Sequence, residues 1–177
     1  MLSKKMEDAL IEHINKEMHS GYLYMSMSAH STSIGLKGFA TWFMVQYHEE
    51  MFHAMKIYEY IASRGGKVIL AEIESPPESY ESPLNMFEKT LAHEQLMTSN
   101  INQLMELSIA EKDHATQIFL QWFVSEQVEE EENDNDIIAR LKLIGNDSNG
   151  LFMVDKELGS RTVVVATDFS KGVTAAA

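Results

Sequence analysis

Proline occurs only three times in this chain, always between residues 76 and 83, and on either side of that stretch apolar residues recur every three or four positions. A period of that length, sustained over tens of residues, means amphipathic helix, because a strand alternates at two. A first stripe runs Met6, Leu10, Ile14, Glu17, Gly21, Met25, Ser28 and opens at Ser3, whose hydroxyl suits an N-cap. A second, from about Gly38 to the RGG at 64–66, runs Phe39, Phe43, Gln46, Glu50, His53, Ile57, Ile61; glycine supplies its C-cap. The third starts at Ser82-Pro83, an N-cap followed by proline at the first helical position, and runs Leu84, Phe87, Leu91, Glu94, Thr98, Ile101, Met105, Ser108. The fourth follows Asp113 with Leu120, Phe123, Gln127, Glu130, Asp134, Ile137, Leu141, Ile144 and stops at Gly145.

NDSNG at 146–150 is a breaker cluster, after which LFMVDKEL at 151–158 can form one short fifth helix. Helices of about 28 residues are roughly 42 Å long. Short links join the first helix to the second and the third to the fourth, so each pair is antiparallel. Residues 66–82 form a link long enough to run the length of a bundle and reverse the order. The organisation expected is a four-helix bundle over 1–145, a short fifth helix over 146–159 and a mobile tail over 160–177, whose last residues, TAAA, read as an expression remnant.

Each stripe is apolar except near its middle. Glu17 interrupts the first, Glu50 with His53 the second, Glu94 the third, and Gln127 with Glu130 the fourth. These interruptions fall at comparable heights once the helices are stacked. A buried carboxylate without a partner costs several kcal/mol, roughly, or takes up a proton, and four together repel one another. Two divalent cations would neutralise four carboxylates, and a neutral imidazole would complete the ligand set. Glu-x-x-His sets both side chains on one helix face, one turn apart, with Glu50 central enough to bridge. Oxygen ligands with a single nitrogen suit iron or manganese better than copper. A lone Glu-x-x-His is common on solvated faces, and His13, His19, His30, His48, His93 and His114 are assigned to that ordinary class. The metal reading rests on four interruptions at one height.

Composition narrows the alternatives. Acidic residues outnumber basic ones 27 to 14, for a formal charge of −13. That balance disfavours nucleic acid and anionic membrane as partners and attracts cations. With no cysteine, disulfide scaffolds, zinc knuckles and cysteine-held iron–sulfur centres are excluded. No apolar run approaches a membrane span and the N-terminus lacks a signal-peptide core, so a cytoplasmic location is expected.

From Ser3 to about Leu158 the chain resembles the non-haem ferritins of bacteria and archaea. The resemblance is carried by Glu17 with Tyr24 two turns on, HEEMFH at 48–53, HEQL at 93–96, FLQWFVSEQVEEE at 119–131 and DKEL at 155–158. It implies an all-α, ferritin-like four-helix bundle with one long crossover and a short fifth C-terminal helix. It also implies a ferroxidase centre in which Glu17, Glu50 and His53 hold a first iron and Glu94, Glu130 and bridging Glu50 a second, lined by Gln127. Glu49, Glu126 and Glu129, with Glu130 shared, resemble the family's third iron site. Tyr24 resembles the tyrosine beside the centre, and Trp122 an aromatic able to supply electrons.

The implied activity is oxidation of Fe(II) by dioxygen, with ferric mineral stored in a homo-oligomeric cage of twenty-four subunits. Of the acidic run 129–132, Glu131 and Glu132 read as solvated charges. Bacterioferritin is the nearest rival. That family carries a second Glu-x-x-His on its fourth helix, where this chain has Gln127 and Glu130, so no haem is expected although Met51 follows Glu50. A rubrerythrin-like peroxidase would need cysteines. A ferritin-like oxidase would need a substrate pocket, and a purely structural shell would have a degenerate site.

Overall fold

The computed structural model describes residues 2–173, so the TAAA at 174–177 and that end of the tail lie outside the described residues. Four long helices, α1 (Lys4–Ser33), α2 (Lys37–Ser63), α3 (Pro83–Ala110) and α4 (His114–Ile144), are followed by α5 (Ser148–Leu158) and a single 3-10 turn at Phe169–Lys171. Side chains start most of them. Ser3 accepts from the Met6 N–H, Ser82 from Asn85 with Pro83 behind it, and Asp113 from Thr116. α5 begins three residues earlier than the periodicity predicts. Asp147 accepts from the Asn149 and Gly150 N–H groups, which turns the breaker cluster into an N-cap.

α2 has no capping side chain of its own. The carboxylate of Asp155, in the DKEL segment of α5, accepts from Gly38 N–H at 2.8 Å and Phe39 N–H at 3.0 Å. The contact is so close that a Cβ on Gly38 would sit 1.5 Å from the Asp155 carbonyl oxygen. Thus α5 is fixed to the start of α2 by a cap supplied across the fold.

α1 packs chiefly on α2 and α3 on α4, with α5 against α2 and α4. The crossover between α2 and α3 lies along α1. Asn15 donates to the Glu72 carbonyl and Ser26 to the Pro77 carbonyl, both at 3.0 Å, and Tyr80 is buried beside His30. Ile69, Leu70 and Ile73 on that crossover remain exposed. In the tail, Ala166 is buried and the Val173 N–H donates to Glu59 at 2.7 Å. Among the described residues no helix is long and apolar enough to cross a membrane.

The core is split in two. Tyr24, Met27, Phe39, Phe43, Phe87 and Leu141 belong to one apolar cluster, and Leu10, Ile14, Ile57, Ile101, Leu120 and Phe123 to the other. Buried polar residues of all four helices form a belt at mid-bundle. The stripe of α1 departs from expectation past Gly21. Met25 is 36% exposed and Tyr24, Met27 and Ser31 face inward instead, although Ser28 is buried as the stripe predicts. A period of 3.6 drifts against any fixed three-four count, which rotates the far end of a long helix.

Candidate metal centre

All four helices contribute to the belt. α1 supplies Glu17, α2 Gln46, Glu49, Glu50 and His53, α3 Glu94, and α4 Gln127, Glu130 and Asp134; every one is buried. One-turn spacing explains the placement, since Gln46, Glu50 and His53 recur on one face of α2, as do Gln127, Glu130 and Asp134 on α4. Glu126 is half-buried and Glu129 exposed.

Two ligand groups emerge. Glu17, Glu50 and His53 offer donor atoms within 4.8 Å of one another, and so do His53, Glu126 and Glu130. His53 stands between them, with Nδ1 3.4 Å from Glu50 Oε2 and Nε2 3.8 Å from Glu126 Oε1. Glu94 lies outside both groups. It accepts a short hydrogen bond from the Tyr24 hydroxyl and one at 3.1 Å from Gln127 Nε2. Gln46 Nε2 donates to Glu130 Oε2 at 2.8 Å. Trp122 meets the His53 ring edge-on at 5.3 Å and carries the Lys56 ammonium over its face.

The residues assigned to a third site are less gathered. Glu126 joins His53 and Glu130, whereas Glu129 is in neither group. Glu49 accepts from Arg161 Nη2 at 2.5 Å, and that guanidinium lies over Trp42.

The protonation states follow from burial. Desolvation and the neighbouring Glu94 hold Glu50 well above the usual carboxylate range, and the same pair of causes pushes Glu130 up to about 8. Burial also raises Glu94, and with Glu94 and Glu130 nearby it pushes Asp134 up to about 9. Glu17 alone among these carboxylates moves down: burial opposes ionisation, but His13 and His53 outweigh it. Burial disfavours the His53 imidazolium, yet Glu126, Glu50 and Glu17 keep its pKa well above normal. Tyr24, buried against Glu94, is raised well above its ordinary value.

Burial and mutual repulsion raise most of these carboxyls, which is the electrostatic setting that a bound cation would relieve. Among the described residues His53 Nε2, Gln46 Oε1 and both Asp134 oxygens lack hydrogen-bond partners, and His53 belongs to both ligand groups. Oxygen donors in excess of nitrogen fit iron or manganese.

Of the six histidines assigned to solvated faces only His114 is exposed, and two of the others, His13 and His93, have polar neighbours within the bundle. His13 is 2% exposed, with Nε2 3.1 Å from Glu17 Oε1. His93 is half-buried against Ser20 Oγ at 2.7 Å, and burial, with His19 beside it, pushes its pKa down to about 4. His13 falls one turn before Glu17 on the stripe through Leu10, so its position carried a readable signal. Gln46 and Asp134 also lie on stripes and extend the belt beyond the interruptions singled out from sequence. Arg161 had no periodic signal at all.

Known proteins resemble most of this chain. The family model described as Ferritin-like domain matches residues 7–144. A bacterial non-heme ferritin of Staphylococcus aureus (strain USA300) is 41% identical over 162 residues, covering 92% of this chain and 98% of that relative. Its counterpart in Staphylococcus saprophyticus is also 41% identical over 162 residues, 92% of this chain and 97% of its own. Among solved structures, an open-pore ferritin from the hyperthermophilic archaeon Archaeoglobus fulgidus superposes with a TM-score of 0.91 at 48% identity, covering 92% of this chain and all of that one. The polar belt therefore sits in a known setting: the chain belongs to the ferritin-like domain family, beside bacterial non-haem and archaeal ferritins.

Proposed function

We propose that this protein oxidises Fe(II) with dioxygen at a di-iron centre inside the bundle and stores the ferric product as mineral within a multi-subunit cage. The observation that carries the reading is the grouping of Glu17, Glu50 and His53 in the middle of an otherwise apolar bundle. Glu17, Glu50 and His53 would hold one Fe(II), and Glu94, Glu130 and shared Glu50 the other, with Gln127 lining that half. Each ion gives one electron, so the pair reduces one dioxygen to hydrogen peroxide. The ferric ions hydrolyse, release protons and move on as hydrated oxide.

The residues around the ions bind, orient and handle protons. Burial and mutual repulsion raise Glu50 and push Glu130 up to about 8, so Fe(II) competes with protons for these carboxylates as it binds. His53 ligates only as neutral imidazole, and the carboxylates that raise its pKa make a proton compete with the metal there. Gln46 orients Glu130, while Tyr24 and Gln127 orient Glu94. The grouping of His53, Glu126 and Glu130 favours further iron at the adjoining site assigned to Glu49, Glu126, Glu129 and Glu130.

Assembly is supported by apolar crossover residues left exposed by the single chain, Ile69, Leu70 and Ile73. Loading with excess Fe(II) in air, then size-exclusion chromatography with light scattering and iron quantification, tests storage. Iron far beyond the ligand count, co-eluting with a large assembly, is expected. A monomer holding at most stoichiometric iron would refute storage.

A further inference from the structure

His13 is an unusual residue for its place. It is 2% exposed, next to the apolar cluster containing Leu10 and Ile14, and neither ring nitrogen makes an aligned hydrogen bond. Burying an unsatisfied imidazole carries a desolvation cost that an apolar side chain would avoid. Glu17 approaches it, with Oε1 3.1 Å from His13 Nε2, near but off the hydrogen-bond line. Two donors bound to one divalent ion at about 2.0–2.2 Å each end up roughly 3.0–3.4 Å apart. The His13–Glu17 gap is that bite. An imidazole nitrogen with a carboxylate oxygen suits Fe(II) and Zn(II) alike.

Position adds a second argument. His13 lines an open cleft of about 490 Å³ between α1 and α3, whose wall also includes Glu12, Lys16, Asn100 and Gln103. Lys16 is drawn aside there, 2.9 Å from Glu12 and donating to Asn100 at 3.2 Å. On the inner side Glu17 groups with Glu50 and His53. Glu17 therefore meets His13 toward the cleft and the metal centre toward the bundle axis.

We propose that His13 and Glu17 form a further divalent-cation site, a hand-over post that passes Fe(II) from the α1–α3 cleft to Glu17, Glu50 and His53. The proposal rests on the di-iron reading of those three residues. With two protein ligands the ion keeps most of its water and is held weakly, which suits passage rather than storage. Transfer requires only that the Glu17 carboxylate, already a ligand, exchange the His13 partner for Glu50 and His53.

The test is anomalous diffraction above the zinc edge from crystals of the full chain soaked in Zn(II), which has no redox chemistry. The expected map has a strong peak on Glu17, Glu50 and His53 and a weaker one bonded to His13 Nε2 and Glu17. In His13→Gln the weaker peak disappears and the strong one stays. His13→Met gives a second substitution should the first disturb packing, and the wild-type soak decides the site without either. A filled centre with no density on His13 overturns the proposal and leaves the di-iron reading standing, as does a weaker peak that persists in His13→Gln. No peak at either place overturns both. Stopped-flow Co(II) uptake reads the hand-over: His13→Gln should slow loading of the centre several-fold, and an unchanged rate refutes transfer through His13.

Discussion

Asp134 offers a quantitative test of the electrostatics of the belt. Its side chain is 1% exposed, neither oxygen has a hydrogen-bond partner, and burial beside Glu94 and Glu130 pushes its pKa from 3.8 to about 9. Because the folded-state value is the raised one, the folded chain keeps a proton that the unfolded chain gives up above its own pKa. Below pH 3.8 both states are protonated and the group is neutral in its effect. As pH climbs from there toward 9, stability of the metal-free protein falls, and above 9 the loss is complete. Within the window one such group contributes about 1.4 kcal/mol per pH unit, or roughly 2.7 kcal/mol between about pH 5.5 and 7.5. Asp134→Asn keeps the shape and cannot titrate. Its amide brings an unsatisfied-donor penalty of about 1–3 kcal/mol, but that offset is the same at every pH. The variant should therefore gain on the wild type by about 1.4 kcal/mol with each unit of rising pH. Guanidinium unfolding of both chains under chelation, across that pH range, measures the two slopes. Parallel lines would refute the reasoning and mean that Asp134 is ionised in the folded protein.

Gly38→Ala should destabilise by about 1–3 kcal/mol through overpacking against the Asp155 carbonyl, and Asp155→Ala by about 1 kcal/mol through loss of the α2 cap; melting temperatures of both variants check this. Arg161→Ala frees Glu49 of its guanidinium, so a weak divalent-binding event near Glu126 should tighten in calorimetry, and no change would mean that Arg161 does not compete there. Imidazole is a stronger partner than a carboxamide for first-row divalent ions. Anaerobic Zn(II) calorimetry should therefore lose its tightest event in His53→Ala and keep it in Glu94→Ala; the reverse pattern would exchange the two halves of the centre.

The helices, the crossover and most of the belt could be read in the sequence because they rest on one periodic signal. Glu17, Glu50, His53, Glu94, Gln127 and Glu130 are polar where the period demands apolar, and all are buried. Tyr24 over Met25 was harder, since the drift of a 3.6-residue turn accumulates along α1 and a fixed count loses the inward face. His13 lay on the stripe beside Ile14, but histidine is ambivalent enough to be taken for surface. Contacts that close the fold left no trace in periodicity. Arg161 meets Glu49 across 112 positions and Asp155 caps Gly38 across 117, each through a single side chain. Glu94 belongs to the belt by burial, yet its distance from both ligand groups depends on how Tyr24 and Gln127 hold it, which only coordinates reveal.

The central claim is paired oxidation of Fe(II) at the buried centre, and stopped-flow absorbance after mixing metal-free protein with Fe(II) in aerated buffer tests it most directly. The account predicts a fast rise whose amplitude saturates near about two iron ions per chain. Glu50→Ala and His53→Ala should each abolish that phase, because Glu50 is shared by both irons and His53 is the one imidazole among the assigned di-iron ligands. A rise no faster than in protein-free buffer, or a fast phase that survives both substitutions, would contradict it.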